Sequence, residues 1–140
     1  MPKYTTKDIR NIALFGHAGC GKTTIAEAIL NFTGTISEPG EVEKGTTVSD
    51  HTDEEKQRGH SLYCTPLHTD HAGKHINILD TPGRLDFIGH AYQALAAVEM
   101  AAIVIDASQG IETVTRRLMD RSTQAKLCRM IIVNKIDSEF

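Results

Sequence analysis

The chain has 140 residues, a formal net charge of -3 and 40% hydrophobic residues. That is enough for one domain with a real core, and the charge balance excludes a general nucleic-acid binder, so no direct DNA binding is expected. No stretch approaches the roughly 20 apolar residues of a membrane span, no apolar leader opens the chain, and three scattered cysteines (Cys20, Cys64, Cys128) fit a reducing, cytoplasmic setting.

The first predicted strand covers residues 12–15, the apolar run Ile12-Ala13-Leu14-Phe15. Gly16-His17-Ala18-Gly19-Cys20-Gly21-Lys22-Thr23 follows, reading G-x-x-x-x-G-K-T, with Thr24 next. Ile25, Ala28, Ile29 and Phe32 then recur at helical spacing. Strand, glycine-rich turn and helix are the context of a phosphate-binding loop. Such a turn aims successive backbone N–H groups inward, and the helix start adds the positive end of its dipole. Lys22 is expected to meet the β- and γ-phosphates, and the Thr23 hydroxyl to ligate Mg²⁺. Cys20, beside a helix start and a lysine, is expected to have either a depressed thiol pKa or a filler role in the turn; a reactive thiol would be protected by nucleotide.

Residues 33–59 are polar and too long to be an idle connection in a compact domain. Thr52-Asp53-Glu54-Glu55 is a capping-box pattern and predicts a short helix over 53–57. A strand is predicted over 61–69, a turn at Asp70-His71-Ala72-Gly73 and an antiparallel partner over 75–79. His68, His71 and His75 gather there, more in the manner of a solvated hairpin tip than of a metal site. A helix with the stripe Ala91, Ala94, Leu95 and Val98 follows, then a strand over 101–105. A second stripe, Ile111, Val114, Leu118 and Ala125, precedes a last strand over 130–133. Alternating strands and helices imply an α/β protein, a three-layer sandwich with a mostly parallel sheet of the P-loop NTPase type.

Two further motifs stand at strand ends. Asp80-Thr81-Pro82-Gly83 offers a carboxylate that can hold Mg²⁺ through water, and a glycine that lets a backbone N–H approach the γ-phosphate. Asn134-Lys135-Ile136-Asp137 decides the base. Asp137 can accept from guanine N1 and the 2-amino group, a pair of donors adenine lacks. Asn134 can tie this loop to the phosphate loop, and the Lys135 stem can pack flat on the base.

Phosphate loop, D-T-P-G and N-K-x-D, in that order, resemble a GTP-binding domain. Residues 10–17, 40–42, 54–59, 76–87 and 133–137 are similar to translational GTPases of the elongation factor G type. The form G-H-A-G-x-G-K-T-T and the segment Gly45-Thr46-Thr47-Val48-Ser49-Asp50 resemble its elongation factor G-like paralogue group. The resemblance implies GTP/GDP and Mg²⁺ binding and hydrolysis stimulated by the ribosome. It also implies a first switch region around the charged run Asp53-Glu54-Glu55-Lys56, read as a solvated helix face, with an order–disorder change there on loss of the γ-phosphate.

Four departures qualify it. Gly19 and Cys20 stand where elongation factor G carries Asp and a small residue. Arg58-Gly59-His60-Ser61 stands for R-G-I-T, leaving Ser61 as the hydroxyl for Mg²⁺. Arg84 replaces the histidine that positions water in the family. An arginine only donates hydrogen bonds; it either stabilises γ-phosphate charge, making Arg84 and Lys22 the catalytic candidates, or is a surface residue of a slowed enzyme. Last, the sequence stops three residues after Asp137. Residues 1–140 are therefore expected to be a GTP-binding domain incomplete at its C-terminus, with apolar surface uncovered. The competing expectations are a guanine nucleotide-binding module with little hydrolysis and, more remotely, a P-loop kinase or ATPase.

Overall fold

The computed structural model describes residues 4–137. Five strands form one sheet in the order β2-β3-β1-β4-β5: β1 (Ile9–Phe15), β2 (Thr65–His71), β3 (Lys74–Asp80), β4 (Met100–Asp106) and β5 (Cys128–Asn134). β1 runs parallel to β3 and β4, and β4 parallel to β5; only β2 is antiparallel, to β3. The carboxyl ends of β1, β3, β4 and β5 therefore share one edge, with the central β1 between chain segments that depart in opposite directions. Ligands of open α/β sheets bind at such a point.

The helices are α1 (Lys22–Phe32), α2 (Asp53–Arg58), α3 (Ile88–Ala94) and α4 (Thr113–Gln124). Strand alternation divides the core between the two sheet faces. Ala13, Phe15, Ala101 and Ile103 pack with Ala91, Leu95, Val114 and Leu118 on the α3/α4 side. Leu14, Ile78 and Ala102 pack with Ala26 and Leu30 of α1 on the other. This is the expected three-layer α/β sandwich. Burying each large side chain such as Phe15 or Leu30 contributes about 1.5–3 kcal/mol.

Several expected boundaries move. The first strand begins at Ile9, ahead of its apolar run, because Ile9, Arg10 and Asn11 already pair with His75, Ile76 and Asn77. β2 begins at Thr65, not residue 61: the Leu62 and Tyr63 N–H groups go instead to the Glu55 carboxylate, at 3.0 and 3.2 Å. The hairpin turn shrinks to Ala72 and Gly73, both at positive φ, which matches the twist of the flanking strands. α1 buries Thr23, Ala26, Glu27 and Leu30; Phe32 is 80% exposed, so the stripe lies off the one read from apolar residues alone. On α4, Val114 and Leu118 are buried, but Ile111 and Ala125 are exposed, and Thr115 and Ser122 complete the buried face.

The histidines of the hairpin form ring contacts. The His68 ring lies tilted against that of His75, centroids 5.6 Å apart, and His75 Nδ1 lies 2.7 Å from Asp70 Oδ1. Among the described residues no group of three His, Cys, Asp or Glu side chains is placed to hold a metal, and no helix is long and apolar enough to cross a membrane.

Candidate functional site

The loop between β1 and α1 turns on glycine. Gly21 is the N-cap of α1 at φ +94°, a left-handed conformation that a Cβ would strain. That turn brings Lys22 into the first helical position, only 6% exposed, with Nζ folded over its own loop. Nζ donates to the carbonyls of His17 (2.8 Å) and Gly16 (3.1 Å). An ammonium removed from water must find such acceptors or an anion.

The D-T-P-G segment at the end of β3 is fastened to the same loop. Thr81 Oγ1 donates to Leu14 O at 2.6 Å. Pro82 and Gly83 are buried, and a Cβ on Gly83 would sit 2.5 Å from both the His17 carbonyl carbon and Lys22 Nζ. Only glycine fits this approach.

Next to it lies a cluster of oxygens. Thr23 Oγ1 and Ser49 Oγ both donate to Asp80 Oδ2, at 2.7 and 2.6 Å, and Ser61 Oγ lies 3.4 Å from Thr23 Oγ1. Asp80 Oδ1 and both carboxylate oxygens of Asp50 are buried without a hydrogen-bond partner. Burial pushes the Asp80 carboxyl up, against the Ser49 and Thr23 hydroxyls and the Lys22 charge. Burial likewise raises Asp50, opposed by the nearby Ser61 hydroxyl. Unpaired buried carboxylate oxygens beside converging hydroxyls are the all-oxygen set that suits a hard divalent cation, so these residues fit Mg²⁺. Ser49 and Asp50 enter the sequence reading only as part of the segment 45–50 that resembles the paralogue group, with no metal role; nothing local to them signals one.

The third loop follows β5. Asn134 Nδ2 donates to Cys20 O at 2.9 Å, tying it to the phosphate loop as its side chain suggests. Lys135, at φ +57°, reaches Gly19 O at 2.7 Å and pairs with Asp106 Oδ2 at 2.8 Å. That ion pair, with the Ser108 hydroxyl and N–H, holds the Asp106 carboxyl well below the usual carboxylate range. Ile136 and Asp137 are exposed beyond this pair.

A cleft of about 330 Å³ opens over the loop. Ala18, Gly19, Gly21, Lys22, Thr23 and Thr24 line one wall, Ser61, Asp50 and Gly83 another, and the exposed Arg84 and half-buried Lys135 its rim. His17 is buried beneath, its Nδ1 2.7 Å from Ala18 O. Cys20 contradicts the reactive reading. Its thiol is fully buried, and desolvation raises its pKa despite the neighbouring Lys22. It fills the turn, so alkylation that depends on bound nucleotide is not expected.

Two carboxylates missed by the apolar pattern organise the 33–61 segment. Glu55, in the capping box of α2, accepts from Thr52 and from the Leu62 and Tyr63 amides. Burial raises its carboxyl, but the Thr52 hydroxyl and the backbone amides of Leu62, Tyr63 and Thr52 outweigh it and leave the group below its ordinary value. Glu27 on α1 accepts from the amides of Gly40 and Val48.

The same geometry has relatives among known proteins. Residues 7–139 match the model of the elongation factor Tu GTP binding domain. The chain is 38% identical to a mitochondrial ribosome-releasing factor 2 of Drosophila willistoni, over 94% of this chain and 18% of that protein. It is 41% identical to peptide chain release factor 3 of Streptococcus pyogenes serotype M5 (strain Manfredo), over 95% of this chain and 27% of that protein. A crystal structure of a Thermus thermophilus protein superposes with a TM-score of 0.89 at 38% identity, covering 92% of this chain and 20% of that one. The chain thus spans about a fifth to a quarter of the relatives it matches.

Proposed function

The chain belongs to the elongation factor Tu GTP binding domain family, and on that footing we propose that its cleft binds GTP with Mg²⁺ and hydrolyses it to GDP as a switch acting on the ribosome in the cytoplasm. The observation that supports this most is the convergence of two further strand-end loops, through Gly83 and Asn134, on the glycine turn that carries Lys22.

Lys22 exchanges its two loop carbonyls for β- and γ-phosphate oxygens, so binding satisfies a cation that is already desolvated and aimed. Backbone N–H groups of residues 18–23 and of Gly83 complete the anion cradle. Thr23 and Ser61 would hold Mg²⁺, with Asp80 and Asp50 accepting from its water shell. When bound, the cation supplies neutralisation of charge on the phosphate oxygens. Asp137 accepts from guanine, Asn134 fixes that loop to the phosphate loop, and the Lys135 stem covers the base.

Arg84 stands at the mouth of the cleft with only donors to offer. It would stabilise charge on the γ-phosphate rather than orient water, so hydrolysis by the isolated chain is slow. The relatives' names connect them with ribosome release and peptide chain release, which supports a ribosomal partner for this chain. Release of γ-phosphate measured with and without ribosomes tests the proposal. Stimulation by ribosomes is expected; a fast rate for the chain alone, unchanged by ribosomes, would contradict it.

A further inference from the structure

Glu27 lies one helical turn beyond Thr23 on α1, and it is fully buried. Its carboxylate accepts from backbone: the Gly40 N–H at 2.8 Å on Oε2 and the Val48 N–H at 2.6 Å on Oε1. These two amides bracket a bend closed on itself, in which Glu41 O accepts from Thr46 N–H and Val42 O from Gly45 N–H. Val42 and Glu43 in that bend line the phosphate cleft. Directly after Val48, Ser49 reaches Asp80, and Asp50 lines the cleft beside it. One carboxylate therefore joins both ends of the bend to the helix that presents Lys22 and Thr23. A buried carboxylate is costly unless it is fully hydrogen-bonded. An apolar side chain would fill the same place beside Ala26 and Leu30 without that cost, so what the carboxylate adds is the hold on the two amides.

We propose that Glu27 is a positioning residue, a clasp that hangs the 40–48 bend over the phosphate cleft and sets how that bend responds to the γ-phosphate. This rests on the GTP-binding reading above. Glu27→Gln keeps the shape but replaces one acceptor oxygen with an NH₂ that must face a backbone N–H, so one bond of the pair is lost.

Hydrogen exchange on the whole chain, read by mass spectrometry without nucleotide, with GDP and with a non-hydrolysable GTP analogue, tests it. In the nucleotide-free protein, peptides covering 40–48 are expected to exchange roughly tenfold faster in the variant while β1, β3 and β4 are unchanged. In wild type the GTP analogue protects 40–48 more than GDP does, and the variant loses that difference. Its KM for GTP rises while GDP affinity holds. Val48→Pro, which removes the N–H from the other end of the clasp, reproduces the faster exchange at Gly40. Exchange of 40–48 within about twofold of wild type overturns the proposal, and so does uniform acceleration across β1, β3 and β4, which marks general core support. Absence of analogue protection anywhere in wild type sinks the GTP-binding reading instead, and leaves the nucleotide-free comparison to decide the clasp.

Discussion

The two ends of the site are built in opposite ways. At the phosphate end, polar groups are buried and most are paired: Lys22 on carbonyls, Thr23 and Ser49 on Asp80, Glu27 and Glu55 on backbone amides, with Asp80 Oδ1 and the Asp50 carboxylate left for a cation. At the base end, apolar groups are exposed: Ile131 at 57%, Val133 at 55% and Ile136 at 74%, with Asp137 beyond them. The phosphate end is preorganised, because its donors and acceptors are desolvated before a ligand arrives. The base end holds its loop by Asn134 and Lys135 alone among the described residues. Affinity is therefore expected to reside at the first end and selectivity at the second.

Four substitutions sharpen or break that contrast. Lys22→Ala has the largest effect. It removes a buried charge-assisted donor worth roughly 3 kcal/mol, so calorimetry is expected to show GTP binding weakened about a hundredfold, with the fold intact by circular dichroism. Asp137→Asn comes next. Loss of a charged acceptor for two guanine donors is expected to weaken GTP and GDP roughly tenfold or more, with the two nucleotides affected alike. An effect equal to that of Lys22→Ala on ATP as well as GTP would erase the division of labour.

Glu55→Gln acts on stability, by about 1–3 kcal/mol in urea unfolding near neutral pH. Because the folded protein holds Glu55 below its ordinary 4.5, the stabilisation is complete above that value and fades as pH falls through the lower folded one. The difference between wild type and Glu55→Gln is thus expected to shrink in acid; a difference that grows in acid would contradict the ionised Glu55 holding the Leu62 and Tyr63 amides. Ile131→Ser, on the exposed face of β5, is expected to change stability by no more than about 0.5 kcal/mol. A large loss of stability would mean that the base end is better packed than its exposure suggests.

What the sequence made legible follows from where side chains or turns act locally. The phosphate loop, the D-T-P-G turn and Asn134 announce themselves because glycine, proline and amide chemistry act within a few residues. Thr52 and Glu55 announced α2 for the same reason. The inward face of α1 was not legible: Ile25 and Ile29 outweigh Ala26 on any apolar scale, and a buried Glu27 counts against the correct stripe. Its reason for being buried is two amides many residues away, which periodicity does not see. The start of β2 was hidden likewise, because Glu55 takes the Leu62 and Tyr63 amides that a strand would have used. Cys20 shows the limit of local electrostatics, since burial outweighs the lysine beside it.

On the proposed reading one acid, Asp137, chooses the purine while one lysine, Lys22, holds its phosphates. Calorimetry of the folded protein with GTP, GDP and ATP in the presence of Mg²⁺ is the direct test: saturable binding of GTP and GDP with ATP at least roughly tenfold weaker is predicted, and tight ATP binding without guanine nucleotide binding would contradict it.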